Sequence, residues 1–91
     1  MAVRFEWDQR KAKENFRKHG ISFDEAITVF KDPRVIFKLD FDHSDDEDRY
    51  WAIGISSSTR MLLFCHCYRL DDIVRILSAR RATPAEMKLY P

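Results

Sequence analysis

Arginine is the side chain with the most chemistry to offer in this chain, and several arginines fall where strands end. Arg69, Arg75, Arg80 and Arg81 lie in its second half, and Lys18 adds a further cation from the first. A guanidinium stays charged at any relevant pH, and its planar fork of donors matches phosphate oxygens. Arg80-Arg81 closes an alternating stretch, so the two neighbours leave the chain in different directions. One can then face a site while the other pairs with a carboxylate. The plainer alternative is a set of solvated arginines, or partners for the acidic run. That run holds Asp40, Asp42, Asp45, Asp46, Glu47 and Asp48 with no Lys or Arg among them.

Proton transfer needs a group that titrates near neutrality, and histidine is that group. His19 sits in Lys18-His19-Gly20-Ile21-Ser22-Phe23-Asp24-Glu25-Ala26, which reads as one helix ending and another beginning. Gly20 suits the left-handed position past a helix end. Ser22 and Glu25 have the spacing of a capping box. Cations in a last turn also complement the helix dipole, so Lys18 and His19 have a structural use beside a chemical one. His43 opens the acidic loop, where carboxylates would raise its pKa, and the alternative there is a plain exposed residue. His66, among Leu62, Phe64 and Tyr68, is expected to be packed and hydrogen-bonded. Cys65-His66-Cys67 invites a zinc site, but strand alternation sends His66 away from both thiols, and no second cysteine pair exists. The acidic loop lacks the Gly and ligand spacing of an EF-hand. No metal and no cofactor are therefore expected. With Gly20 and Gly54 the only glycines, phosphate-cradling glycine loops are excluded.

Elements must hold these residues in place. Val3-Arg4-Phe5-Glu6-Trp7 alternates and predicts a short strand or extended lead-in. Asp8 caps a helix over about Gln9 to His19, whose thin apolar stripe is Ala12 and Phe16, flanked by Asn15 and His19. Phe23, Ala26, Ile27 and Phe30 predict a second helix to about Phe30, ended by Asp32-Pro33. The period then changes to two. Val35–Leu39, Tyr50–Ile55, Met61–Tyr68 and Ile73–Ala79 read as strands, with Val74, Ile76 and Ser78 expected to face away from Arg75, Leu77 and Ala79. Their short connections make neighbours antiparallel. Thr83-Pro84-Ala85-Glu86 is a second capping box and opens a short helix carrying Met87 and Tyr90. The expected fold is α+β: two N-terminal helices packed on one face of an antiparallel sheet of about four strands, with a short C-terminal helix, as one domain over residues 1–91. The uncovered face and its rim are left for a site.

Composition narrows the class. The chain has 91 residues and is 45% hydrophobic, enough for one small packed core. Net charge is +1, so bulk attraction to nucleic acid is absent. After Arg49 the charges lean basic, and a positive face is possible if the acidic loop lies elsewhere. No apolar run nears the ~20 residues of a membrane span. The start has no apolar signal region, and Cys65 and Cys67 sit roughly 6.5–7 Å apart on a strand, too far for an easy disulfide. Reduced thiols and a cytoplasmic location are expected.

Phe5-Glu6-Trp7-Asp8, Lys11-Ala12, Asn15, Lys18-His19-Gly20-Ile21-Ser22-Phe23 and Glu25-Ala26 resemble the BrnT family of type II toxins. So do Val29-Phe30-Lys31-Asp32-Pro33, His43-Ser44, Glu47, Arg49, Ile53-Gly54, Arg75-Ile76, Ser78-Ala79-Arg80-Arg81-Ala82, Glu86 and Tyr90. The resemblance covers essentially the whole chain and implies a RelE-like fold. It implies a cytoplasmic bacterial endoribonuclease that blocks translation and is neutralised by a BrnA-like antitoxin. DNA would be reached only indirectly, through the antitoxin. The implied reaction is metal-free: a ribose 2′-hydroxyl attacks its own phosphate. Arg80, Arg81 and Arg69 would carry phosphate charge with Lys18 assisting, and His19 or His43 would move the proton. Arg75, Arg60 and Tyr68 would bind RNA, and Trp51 is either a second stacking surface or, more in keeping with its strand, part of the core. Two departures stand out. Thr59 precedes Arg60 where the family commonly has Gly, and Leu70-Asp71-Asp72 follows Arg69 where it favours Gly-Asp. A non-catalytic module that binds a DNA-binding partner and modulates repression is the alternative function.

Overall fold

The computed structural model describes residues 3–43, 47–70 and 72–91, with the backbone alone for His43. Asp8 begins the first helix, α1 (Gln9–His19), by accepting hydrogen bonds from the backbone N–H groups of Arg10 and Lys11. Gly20 ends it at φ +70°, the left-handed position expected of it. The second helix departs from expectation. It is one α-turn, α2 (Phe23–Ala26), that tightens into a 3-10 turn over Ile27–Lys31. The run Ile27-Thr28-Val29 is β-branched throughout, which disfavours a continued α-helix. A 3-10 turn repeats every three residues, so Val29 joins Phe23 and Ala26 as fully buried, while the expected Ile27 and Phe30 pack half-buried against the same core. The first capping box is half formed. Ser22 accepts from the Glu25 N–H, while the Glu25 side chain turns away to Arg60 and Ser56. The second box, at α3 (Pro84–Met87), is complete.

The sheet has five strands, not about four, and is mixed. Its order is β1 (Arg4–Glu6), β5 (Ile73–Arg81), β4 (Met61–Arg69), β3 (Tyr50–Ile55) and β2 (Ile36–Leu39). The lead-in segment is an edge strand, β1, parallel to β5; every other pair is antiparallel. The parallel pairing follows from connectivity, because the helices carry the chain over the sheet before it returns. Helices cover one face. Ile21, Phe23, Ala26 and Val29 pack there against Ala52, Leu62, Phe64, Val74, Ile76 and Ala79. No helix among the described residues is long and apolar enough to cross a membrane.

One polar group seats α1 on this face. Asn15, 7% exposed, donates to the carbonyls of Ala79 (2.8 Å) and Ile21 (3.0 Å) and accepts from the Ala79 N–H (3.0 Å). The β1 pairing to β5 stops at Arg75, so the outward backbone groups of Ala79 meet no strand. The Asn15 carboxamide takes the strand's place. Gly54 permits the other close approach: a Cβ there would meet Val29 Cγ1 at 2.7 Å.

Two non-glycine residues have left-handed backbones, Thr59 (φ 58°) and Leu70 (φ 53°). They sit in the two turns that depart from the family pattern. Thr59→Gly and Leu70→Gly are each expected to raise unfolding free energy by about 1 kcal/mol in denaturant titrations, since a Cβ in this region costs roughly 1–2 kcal/mol. Asn15→Asp is expected to destabilise by about 3 kcal/mol at pH 7, because a carboxylate would face two carbonyls. That variant's folded-state pKa is raised, so its deficit shrinks as pH falls toward 4.

Candidate active site

The face opposite the helices carries Arg4 and Glu6 (β1), Arg75, Ser78 and Arg80 (β5), Leu63, Cys65, Cys67 and Arg69 (β4), and Trp51, Ile53 and Ile55 (β3). A β-bulge decides the membership of β5. Cys65 pairs with Ser78, but His66 pairs with Ile76, leaving Leu77 as the extra residue. The expected alternation is therefore corrected: Ser78 joins Arg75, and Ala79 joins Val74 and Ile76 in the core. Without the bulge Arg80 would point the other way from Arg75, since they are five residues apart.

A polar hollow of about 280 Å³ opens on this face, lined by Asp40, Arg49, Trp51, Leu63, Cys65, Ser78 and Arg80. Trp51 is fixed there by its indole N–H, which donates to Asp40 Oδ2 at 3.0 Å. A second hollow, about 240 Å³, lies over the edge of β5 between Lys11, Glu14, Asn15, Lys18, His19, Leu77 and Ser78. Ser78 belongs to both. Lys18 and His19 thus line a separate hollow that meets the first at Ser78, because Asn15 clamps the last turns of α1 beside Ala79.

Among the described residues, the remaining candidates line neither hollow. Arg75 is paired with Glu6 at 2.7 Å and stands opposite Cys67. Arg69 ends β4 on the same face, six residues from Leu63, roughly 20 Å along the strand. Arg81 and Tyr68 lie on the helix-side face by register, opposite Leu62 and Val74. Tyr68 packs on His66 and Tyr50 with ring centroids 5.3 and 5.4 Å away. Arg60, past the β3–β4 turn, is gripped through Nε and Nη2 by Glu25, whose carboxyl it holds below the usual range with help from Ser56. His43 ends a 3-10 turn over Phe41–His43, and its side chain lies outside the described residues. Arg80 is also paired, with Glu86, though 37% of its side chain stays exposed. Burial, with Asp40 adding to it, pushes the Cys65 thiol up to about 11 and so disfavours its thiolate.

Sequence reasoning passed over Arg49, Ser78 and the clamp at Asn15. A signal existed for Asn15, a polar residue within the only apolar stripe of α1. The bulge that exposes Ser78 has no signature in the sequence.

The fold and this hollow define a small α+β domain with a polar hollow, bordered by arginines, on a mixed sheet. The family described as "Ribonuclease toxin, BrnT, of type II toxin-antitoxin system" matches residues 7–86, and the chain belongs to it. No curated protein matches the chain by sequence. Among solved structures, the Brucella abortus ribonuclease toxin BrnT is similar in fold, with a TM-score of 0.66 and 20% identity. The match covers 90% of this chain and 99% of that one.

His66 lies behind the site, fully buried in a cage of Phe30, Phe37, Phe64, Tyr50 and Tyr68 rings. It is packed as expected, but neither ring nitrogen has a partner of hydrogen-bond geometry among the described residues. Burial lowers its pKa to about 4, opposed in part by the Phe64 backbone. Below the ordinary value of 6.5 the unfolded chain takes up a proton that the folded chain refuses. Stability therefore falls with pH between 6.5 and 4. Going from pH 7 to pH 5 is expected to remove about 2 kcal/mol through this group, a loss absent in His66→Leu when both are unfolded by urea.

Proposed function

We propose that this chain is an endoribonuclease whose cleavage site is the hollow bounded by Arg80, Arg49 and Trp51, with Lys18 and His19 in the adjoining hollow across Ser78. The observation that carries this reading is the placement of two guanidinium groups and a fixed indole around one hollow of about 280 Å³, in a chain of a ribonuclease toxin family. A ribose 2′-hydroxyl gives its proton to His19 or His43 and attacks the adjoining phosphorus. The bond to the 5′-oxygen breaks, that oxygen takes up a proton, and a 2′,3′-cyclic phosphate is left. Arg80 and Arg49 stabilise the extra charge on the phosphoryl oxygens, where preorganised donors act most strongly. With cationic charge supplied by side chains, the reaction proceeds without a metal. Trp51 offers one base a stacking surface, as single-stranded RNA recognition requires. Arg75 and Arg69, farther along the same face, contact more distant phosphates. Arg81, Arg60 and Tyr68 take no part in the cleft, being on the other face or held by Glu25.

The family assignment also implies an antitoxin. We assign that role to a BrnA-like protein that forms a heteromeric complex with this chain in the cytoplasm and alone touches DNA. Purified protein is expected to cut single-stranded RNA equally well with and without EDTA. Arg80→Ala is expected to lose at least ~100-fold in kcat, the scale of one transition-state donor. Intact RNA at high enzyme concentration, with and without ribosomes, would instead mark a binding module without catalysis.

A further inference from the structure

We infer that Glu86 is a positioning residue for Arg80: its carboxylate holds the guanidinium by its end and leaves the side edge of the fork turned to the substrate. This rests on the assignment of Arg80 to the phosphate made above. Glu86 Oε1 accepts from Arg80 Nη1 and Oε2 from Nη2, each at 2.8 Å. The second Nη1 hydrogen reaches the Arg81 carbonyl at 3.2 Å. A guanidinium has five N–H donors, so two remain: Nε–H and the Nη2 hydrogen on the same edge. Neither has a partner among the described residues. Together they form the parallel pair that grips two oxygens of one phosphate.

The anchor is itself fixed. Glu86 Oε1 also accepts from the Thr83 N–H at 2.9 Å, and the Glu86 N–H donates to Thr83 Oγ1 at 3.2 Å. Only 16% of the Glu86 side chain is exposed. The backbone N–H of residue 83, which any side chain there leaves in place, thus steadies the carboxylate that immobilises a long, flexible cation on the neighbouring strand. An arginine already held in place loses little freedom when it meets a phosphate, and that saving appears in the rate. Neutralising part of its charge is the cost. A guanidinium held end-on by a carboxylate still presents an undiminished hydrogen-bonding edge.

The test is a cycle of variants assayed on a fluorescent single-stranded oligoribonucleotide of mixed sequence. Glu86→Ala is expected to lower kcat by roughly 10- to 100-fold with little change in KM, as misplacement of a catalytic cation does. Thr83→Ala, which breaks the cap but not the Arg80 pair, is expected to lower Tm and leave kcat unchanged. In an Arg80→Ala background, Glu86→Ala is expected to cost nothing more. An equal loss in that background, an equal loss from Thr83→Ala, or no loss from Glu86→Ala overturns the positioning role. Should Arg80→Ala cleave like the wild type, the assignment of Arg80 falls instead. Nitrogen-15 relaxation of the Arg80 Nε–H then decides the positioning alone. A rigid group in wild type and Thr83→Ala but a mobile one in Glu86→Ala supports it, and equal mobility in all three overturns it.

Discussion

The contact of Asn15 with Ala79 is the constraint on which the rest of the molecule depends. A carboxamide has one donor group and one acceptor, the same complement as a peptide unit. Here it is bonded to both backbone groups of one β5 residue and to the carbonyl of Ile21 beyond the helix end. Buried backbone groups must find partners, and β1 is too short to supply them. One side chain therefore completes the sheet edge, sets the height of α1 above the sheet and fixes the turn into α2. It also brings the last turn of α1, with Lys18 and His19, beside the strand that bears Arg80.

Pairing of charges sets what each arginine can do. Arg60 is bound on two donors by Glu25, so it serves as a brace between the β3–β4 turn and α2. Arg75 ties β5 to the edge strand through Glu6. Arg80 is held too, but from one end, and it borders open space shared with Arg49 and Trp51. Surface ion pairs contribute little to stability on their own. Their larger effect here is to sort residues of one type into braces and a cleft-lining group.

Local signals in the sequence were strong where backbone chemistry is local. Asp8, Gly20 and the Thr83–Glu86 box mark helix ends in the structure as they do in the chain. Strand periods placed β2 to β5 within a few residues. The misses share a cause in tertiary structure. Val3 to Trp7 gave no sign of pairing in parallel with a strand some seventy residues away. The β-branched run after Ala26 tightened the second helix, which a 3.6-residue period cannot anticipate. Glu25 had capping-box spacing, yet a nearby guanidinium outcompeted the Ser22 N–H for its carboxylate. Arginines were legible as a set, but their grouping depends on the bulge, and alternation taken at face value put Ser78 with the core. The family was legible throughout, from motif order alone.

The extra residue at Leu77 has a consequence for how such chains evolve. Removing that single codon would restore strict alternation and leave Arg75 and Arg80 four residues apart, still on one face with Ser78. What the cleft cannot bear is the extra residue without the bulge, which would turn Arg80 to the helix side and Ala79 away from the core. Among relatives, equivalence at the cleft is better judged by counting from the irregularity than from either end of the strand.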